Sequence, residues 1–151
     1  ALAALGRDGG LSGARNRALV LDRLRQAVEG GRRVGGVTAV LFCDVEKFKY
    51  VNESQGHSVG DELLCEVAGR IHAMLRPGDT VARFGGDEFV VLATDLHSEE
   101  EALLVAERLV REARTPLSIA GLDRLVTLSV GLAVASGSEI AADPETLFPP
   151  A

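Results

Sequence analysis

No stretch of this 151-residue chain is long and apolar enough to cross a bilayer. The longest apolar run, Val37 to Cys43, is broken by Thr38, whereas a spanning helix needs ~20 apolar residues. No basic-then-apolar signal layout stands at the N-terminus, and the chain does not begin with Met. The expectation is a cytoplasmic domain cut from a longer chain. Cysteine is scarce: Cys43 and Cys65 both sit among apolar residues and are expected to be reduced, buried core thiols. With no CxxC pair and no Cys/His cluster, there is no zinc framework. A basic excess is missing too. The formal net charge of -6 argues against a broad electrostatic grip on nucleic acid, so a polyphosphate ligand would need metal ions or a local basic group. The Gly-rich stretch Gly30–Gly36 lacks the glycine and Gly-Lys-Ser/Thr spacing of a P-loop. No internal repeat or low-complexity tract is present.

What is there suits one domain with a real core, since 46% of the residues are hydrophobic. Residues 1–15 read as a linker or entry segment. Asn16 is placed to cap a helix to about Glu29, with Leu21, Leu24 and Val28 on one face and Gly30 as its stop. Gly30–Gly36 then reads as a basic turn. The run Val37–Asp44 predicts a strand buried on both faces and ending in a carboxylate. A short helix over 46–55 follows, then a longer one opened by Ser58, with Leu63, Leu64, Val67, Ala68, Ile71 and Leu75 at helical spacing and Pro77-Gly78 as its end. Thr80–Phe84 and Glu88–Thr94 predict a hairpin through Gly85-Gly86-Asp87. Ser98 and the three glutamates after it start a helix to about Arg114. Pro116–Ala120 and Leu125–Ala135 read as a final strand pair. The order αβααββαββ predicts an α/β fold with a mixed central β-sheet flanked by helices over residues 16–136.

Two acidic clusters carry chemistry: Asp44-Val45-Glu46 where the central strand ends, and Asp87-Glu88 in the hairpin turn. Carboxylates converging from separate elements would make a Mg²⁺ site, because Mg²⁺ takes hard oxygen ligands and shares them with substrate phosphates. The alternative, that Asp44 caps the next helix and Asp87 fills a turn, stays open on spacing alone. Gly85 and Gly86 would let a bulky ligand approach the backbone, or would simply make a hairpin.

The run Ala82–Phe89 (ARFGGDEF) resembles the defining motif of the GGDEF family of diguanylate cyclases. LFCDVEKFKYVNESQGHSVGDELL (Leu41–Leu64) resembles that family's metal- and guanine-binding segment, LSGARNR (Leu11–Arg17) its entry motif, and VTLSVGLAVA (Val126–Ala135) its late strand. The similarity covers roughly residues 8–136 and implies a nucleotidyl-cyclase, polymerase-palm-like fold. It implies that Asp44, the carbonyl of Val45 and Asp87 ligate Mg²⁺ or Mn²⁺, with Glu88 completing the acidic site and Asp87 or Glu88 helping to deprotonate a 3′-hydroxyl. Backbone N–H groups near Lys47 and Phe48 would cradle phosphates, Lys49 would meet them with charge, and Asn52 and Asp61 would read guanine. A carboxylate can accept from guanine N1–H and the 2-amino group together, although Ser58-Val59-Gly60-Asp61 also reads as a capping box. His57 reads as a turn or core residue. Arg76-Pro77-Gly78-Asp79 is similar to the family's inhibitory RxxD site for cyclic di-GMP.

The implied reaction joins two GTP molecules across a homodimer, giving cyclic di-GMP and two pyrophosphates, under a sensor domain N-terminal to this chain. The sequence departs from the family in three places. Asp8 precedes Gly9 where the family has its Asp one position later, which puts an ion pair to Arg83 in question. Glu46 and Glu53 replace the more common Asp. Residues 137–151, with Pro144, Pro149 and Pro150, read as an irregular tail in place of the family's closing helix and strand. That tail keeps a second function open, a non-catalytic module that binds GTP or cyclic di-GMP and regulates a partner.

Overall fold

The computed structural model describes residues 13–34, 36–119 and 121–136. The elements run α1 (Gly13–Val34), β1 (Val37–Val45), α2 (Phe48–Gln55), α3 (His57–Met74), β2 (Thr80–Arg83), β3 (Glu88–Leu96), α4 (Glu99–Ala113), β4 (Leu117–Ile119), β5 (Leu122–Arg124) and β6 (Leu128–Ser136). Four strands form one sheet in the order β2-β3-β1-β6, and each of its pairings is antiparallel. The expected central sheet flanked by helices is therefore present.

The pleat explains why β1 reads as an unbroken apolar run. Ala39, Leu41 and Cys43 point into one core with residues of α3 and α4, while Val40 points into a second core under α1, with Val20, Leu21 and Leu24. β3 is divided the same way, with Phe89, Val91 and Ala93 on one side and Val90 and Leu92 on the other. Successive side chains of a strand face opposite ways, so a strand covered on both faces has no polar positions to spare.

Local signals set α4 well. Its N-cap is Ser98, whose hydroxyl accepts from the Glu101 N–H at 3.2 Å, and the Glu101 carboxylate in turn accepts from the His97 N–H at 2.8 Å. This is the reciprocal satisfaction of orphan donors that Ser98 and the acidic first turn lead one to expect.

Four expectations need correcting. α1 begins at Gly13 and continues to Val34, so Asn16 is not its cap, Gly30 is not its stop, and most of Gly30–Gly36 is helix rather than turn. A helical glycine costs only about 1 kcal/mol against alanine, too little to end a long helix; the Val28 side chain lies outside those described. Ser58 does not open α3: the N-cap is Gly56 with φ 91, which also closes α2, and no side chain caps the helix. The final strand pair is divided, since Leu117–Ile119 pairs with Leu122–Arg124 in a separate hairpin turned at Gly121 (φ 78). Leu128–Ser136 instead joins the main sheet beside β1. Finally, Cys65 is exposed, while Cys43 is buried. Burial, and then the negative charge of Asp44, push the Cys43 thiol up to about 12, so it stays protonated and inert. The expectations for residues 1–12 and 137–151 fall outside the described residues. Among the described residues, no helix is long and apolar enough to cross a membrane.

Candidate functional site

β1 leaves the sheet at Asp44 and Val45, and the hairpin between β2 and β3 arrives beside it. Asp44 lies opposite Glu88 of β3 and opposite Ser129 of β6, and residues directly opposite in antiparallel strands share a sheet face. The junction is stitched by the main chain. The Val45 N–H donates to the Asp87 carbonyl at 3.0 Å, and the Glu46 N–H donates to the Thr127 carbonyl at 2.9 Å. The Ser129 hydroxyl donates to the Glu46 carboxylate at 3.0 Å. Arg83 straps the turn from inside: its Nε–H donates to the Gly85 carbonyl at 2.9 Å and a terminal N–H to the Gly86 carbonyl at 3.0 Å. Sequence reasoning sought an acidic partner for Arg83 near residue 8. Its described partners are these two carbonyls.

The two acidic clusters act on one another. Desolvation first, and the charge of Asp87 second, hold the Asp44 carboxyl above its ordinary value. Two carboxylates close enough to repel, supported by main-chain bonds that do not need their side chains, suit a hard dication. Among the described residues no three His, Cys, Asp or Glu side chains gather as a closed metal cage. An all-protein cage is therefore absent there, which fits Mg²⁺, an ion usually held by one or two carboxylates plus substrate phosphates.

The structure also disposes of the bland readings. Asp44 does not cap α2, whose N-cap is Lys47 in the left-handed region (φ 63) with no side-chain cap bond. Gly85 and Gly86 are absent from the positive-φ positions among the described residues, so the hairpin does not require glycine for its backbone angles. A side-chain carbon would meet nothing within 4 Å at Gly86, and only a Glu88 carboxylate oxygen at 3.6 Å at Gly85. The turn is bare toward solvent, as an approaching ligand would need.

α2 starts immediately after Glu46-Lys47 with no acidic residue in its first turn. Its first N–H groups are unsatisfied within the helix and favour an anion. The Phe48 side chain is in the core, so only its backbone could serve a ligand. Lys49 is exposed, with Glu53 at 3.9 Å as its ion-pair partner, a surface contact worth little. Asn52 is half-buried and packs on α3. Its Oδ1 is buried without a hydrogen-bond partner and occupies the space that a Gly60 side chain would fill, 1.8 Å from an ideal Cβ. Gly60 is thus the seat of Asn52, a role that its place in the sequence does not announce. Asp61 is exposed on the first turns of α3, and with no capping box at that helix, the capping role falls away. His57 is exposed as the first residue of α3.

The RxxD turn lies at the other end of β3, and here a geometric expectation fails. Asp79 does not project into solvent; it is 8% exposed. Its carboxylate accepts from the Arg76 N–H at 3.1 Å and from the Thr94 N–H at 3.2 Å. Arg76 is half-exposed; it donates to the Thr94 carbonyl at 2.6 Å and lies 3.9 Å from the Glu101 carboxylate. The pair thus clamps both sides of Thr94, beside an irregularity in the β1–β3 register where Asp95 takes φ 54.

A four-stranded antiparallel sheet with an acidic strand end, a Gly-Gly-Asp-Glu hairpin and a free helix N-terminus defines a palm-like nucleotidyl-cyclase architecture. The profile of the diguanylate cyclase GGDEF domain matches residues 9–148, and the chain belongs to that family. It is similar to a bifunctional diguanylate cyclase/cyclic di-GMP phosphodiesterase, MucR of Pseudomonas aeruginosa, with 43% identity over 81% of this chain and 18% of that protein. It is 38% identical to the diguanylate cyclase TpbB of the same organism over 79% of this chain and 28% of that one. The chain thus spans less than a third of the length of these relatives. Among solved structures, the isolated GGDEF domain of TpbB superposes with a TM-score of 0.75 at 37% identity, covering 78% of this chain and 69% of that one. The GGDEF domain of DgcB from Caulobacter crescentus, solved with c-di-GMP, gives 0.70 at 26% identity, covering 82% and 72%.

Proposed function

We propose that this domain is a working diguanylate cyclase, condensing two GTP into cyclic di-GMP and two pyrophosphates between two copies of itself. The observation that carries the reading is the mutual perturbation of Asp44 and Asp87 at the end of β1, beside the uncapped start of α2. Asp44, the Val45 carbonyl and Asp87, with Glu88 beside them, would hold Mg²⁺ or Mn²⁺, which when bound supplies charge neutralisation on the phosphates.

The chain's own residues do the rest. N–H groups at Lys47 and Phe48 receive phosphate oxygens, and Lys49 adds a mobile positive charge. Asp61 accepts from guanine N1–H and the 2-amino group, and Asn52, held by Gly60, meets the same base. Asp87 or Glu88 takes the proton of the 3′-hydroxyl. The 3′-oxygen then forms its bond to the α-phosphorus of the GTP held by the second copy, and the bond from that phosphorus to the bridging oxygen breaks, releasing pyrophosphate. Each copy supplies half of the geometry, so positioning across the pair is part of the catalysis. Incubation with GTP and Mg²⁺, followed by chromatography for cyclic di-GMP, tests the reading. GTP binding without product would favour a regulatory module instead. A 41%-identical Pseudomonas aeruginosa relative, NbdA, is named a cyclic di-GMP phosphodiesterase, which keeps that second reading in view.

Two outcomes are expected at the binding positions. Gly60→Ala should displace Asn52 while leaving α3 folded, because the obstructing atom is the end of a flexible side chain and alanine is the better helix former by about 1 kcal/mol. The preference for GTP over ATP should fall about tenfold, the worth of a polar contact of ~1–1.5 kcal/mol, as read by calorimetric titration. At the RxxD turn, cyclic di-GMP is expected to meet Arg76 rather than the occupied Asp79 carboxylate. Arg76→Ala should weaken cyclic di-GMP binding at least ~10-fold, as loss of a charge-assisted hydrogen bond does, and spare GTP binding. Unchanged cyclic di-GMP affinity would reduce the turn to a helix terminator.

A further inference from the structure

Two polar atoms are left buried without partners among the described residues, and both belong to side chains that meet one helix. One is Asn52 Oδ1, an acceptor; the other is Arg124 Nε, a donor. Arg124 belongs to β5, in the small hairpin outside the main sheet, yet a terminal N–H donates to the Gln55 side chain on the last turn of α2. Gln55 follows Asn52 by three residues, and residues three apart lie on one face of a helix. The β4–β5 hairpin thus sets a guanidinium beside the same face of α2 that carries Asn52.

An unpaired buried donor and an unpaired buried acceptor are each costly. Both would be relieved by a ligand edge that offers donors and acceptors together. Resting on the GTP reading above, we infer that Arg124 is a further specificity-determining residue of the nucleobase pocket, donating to guanine O6 and N7, with Gln55 as its positioning residue. Arginine paired with O6 and N7 is the commonest specific contact to guanine. It complements Asp61 and Asn52, since a carboxylate can only accept. Adenine carries an amino group where guanine has O6, so the same guanidinium would also reject ATP. The competing role is a strut, in which the cation merely supports the C-terminal end of α2.

The test is calorimetric titration of the full chain, with Mg²⁺, using GTP, 6-thio-GTP and 7-deaza-GTP. The parent should prefer GTP to each analogue, whose acceptor edge is weakened at position 6 or lacks N7. Arg124→Met should weaken GTP binding at least ~5-fold, change 7-deaza-GTP little, and so collapse the parent's preference, with the thermal midpoint of the free domain nearly unmoved. Gln55→Leu should reduce the same preference by a smaller factor. If Arg124→Met weakens all three nucleotides equally, or shifts only the melting temperature, Arg124 is a strut and the inference is overturned. If Arg124→Met keeps full discrimination while Asn52→Ala loses it, the inference fails and the GTP reading stands. If the parent binds none of the three, both fail together.

Discussion

Replacing Asp87 by alanine should lower cyclic di-GMP formation by at least ~10³-fold, equivalent to ~4 kcal/mol of transition-state stabilisation, without unfolding the domain. The fold is spared because what Asp87 gives the structure is its main chain: its carbonyl accepts from the Val45 N–H, and alanine keeps that bond. The carboxylate has a different task, since it is the charge that raises Asp44. Removing it should leave Asp44 ionising more readily but without a second ligand for a cation. A mutant with the parent's melting curve and near-parent turnover would end the metal assignment.

The largest stability effect is expected two residues further on. Phe89 closes the Gly-Gly-Asp-Glu-Phe motif, yet it is 1% exposed and faces the α3–α4 core together with Leu41, Val91 and Ile71. Truncating a buried phenylalanine to alanine costs ~3–5 kcal/mol through lost transfer energy and the cavity left behind. Phe89→Ala should therefore lower the urea midpoint steeply, in a domain whose total stability is expected to be only ~5–15 kcal/mol. Phe89→Leu should recover most of the loss. If Phe89→Ala instead removed activity at unchanged midpoint, the ring would belong to the site and not to the core. Within one short motif, the acidic residues act on the ligand and the aromatic residue anchors the strand that presents them.

What was legible in the sequence was the part decided locally. The unbroken run of β1, the hairpin at Gly85-Gly86-Asp87 and the Ser98 start of α4 each follow from side chains within a few residues of one another, and the structure has all three. The position of the acidic pair was legible for the same reason, because a buried strand must end where its polar residues begin. Other features depend on partners far along the chain. Asp79 reads as a surface turn residue, but its partner is Thr94, brought close only by the pairing of β2 with β3. The division of the last apolar stretch depends on β6 finding β1, which no local pattern states. The seat of Asn52 on Gly60 requires α2 and α3 to fold back at Gly56. Arg124 resembles any other charged residue of a polar hairpin until Gln55 is seen beside it.

The clamp on Thr94 has a use as a measuring device. Its N–H is held by a carboxylate at 3.2 Å while its carbonyl is held by a guanidinium, so deuterium can enter that amide only when the turn lets go. Neighbouring amides of β3 are guarded by the ladder with β1 and should exchange far more slowly, on the clock of the whole sheet. Labelling followed by proteolysis and mass spectrometry would therefore time one turn's grip separately from the stability of the strand behind it. Any small molecule that recruits Arg76 should betray itself as faster isotope uptake at Thr94, even in a preparation with no turnover to follow.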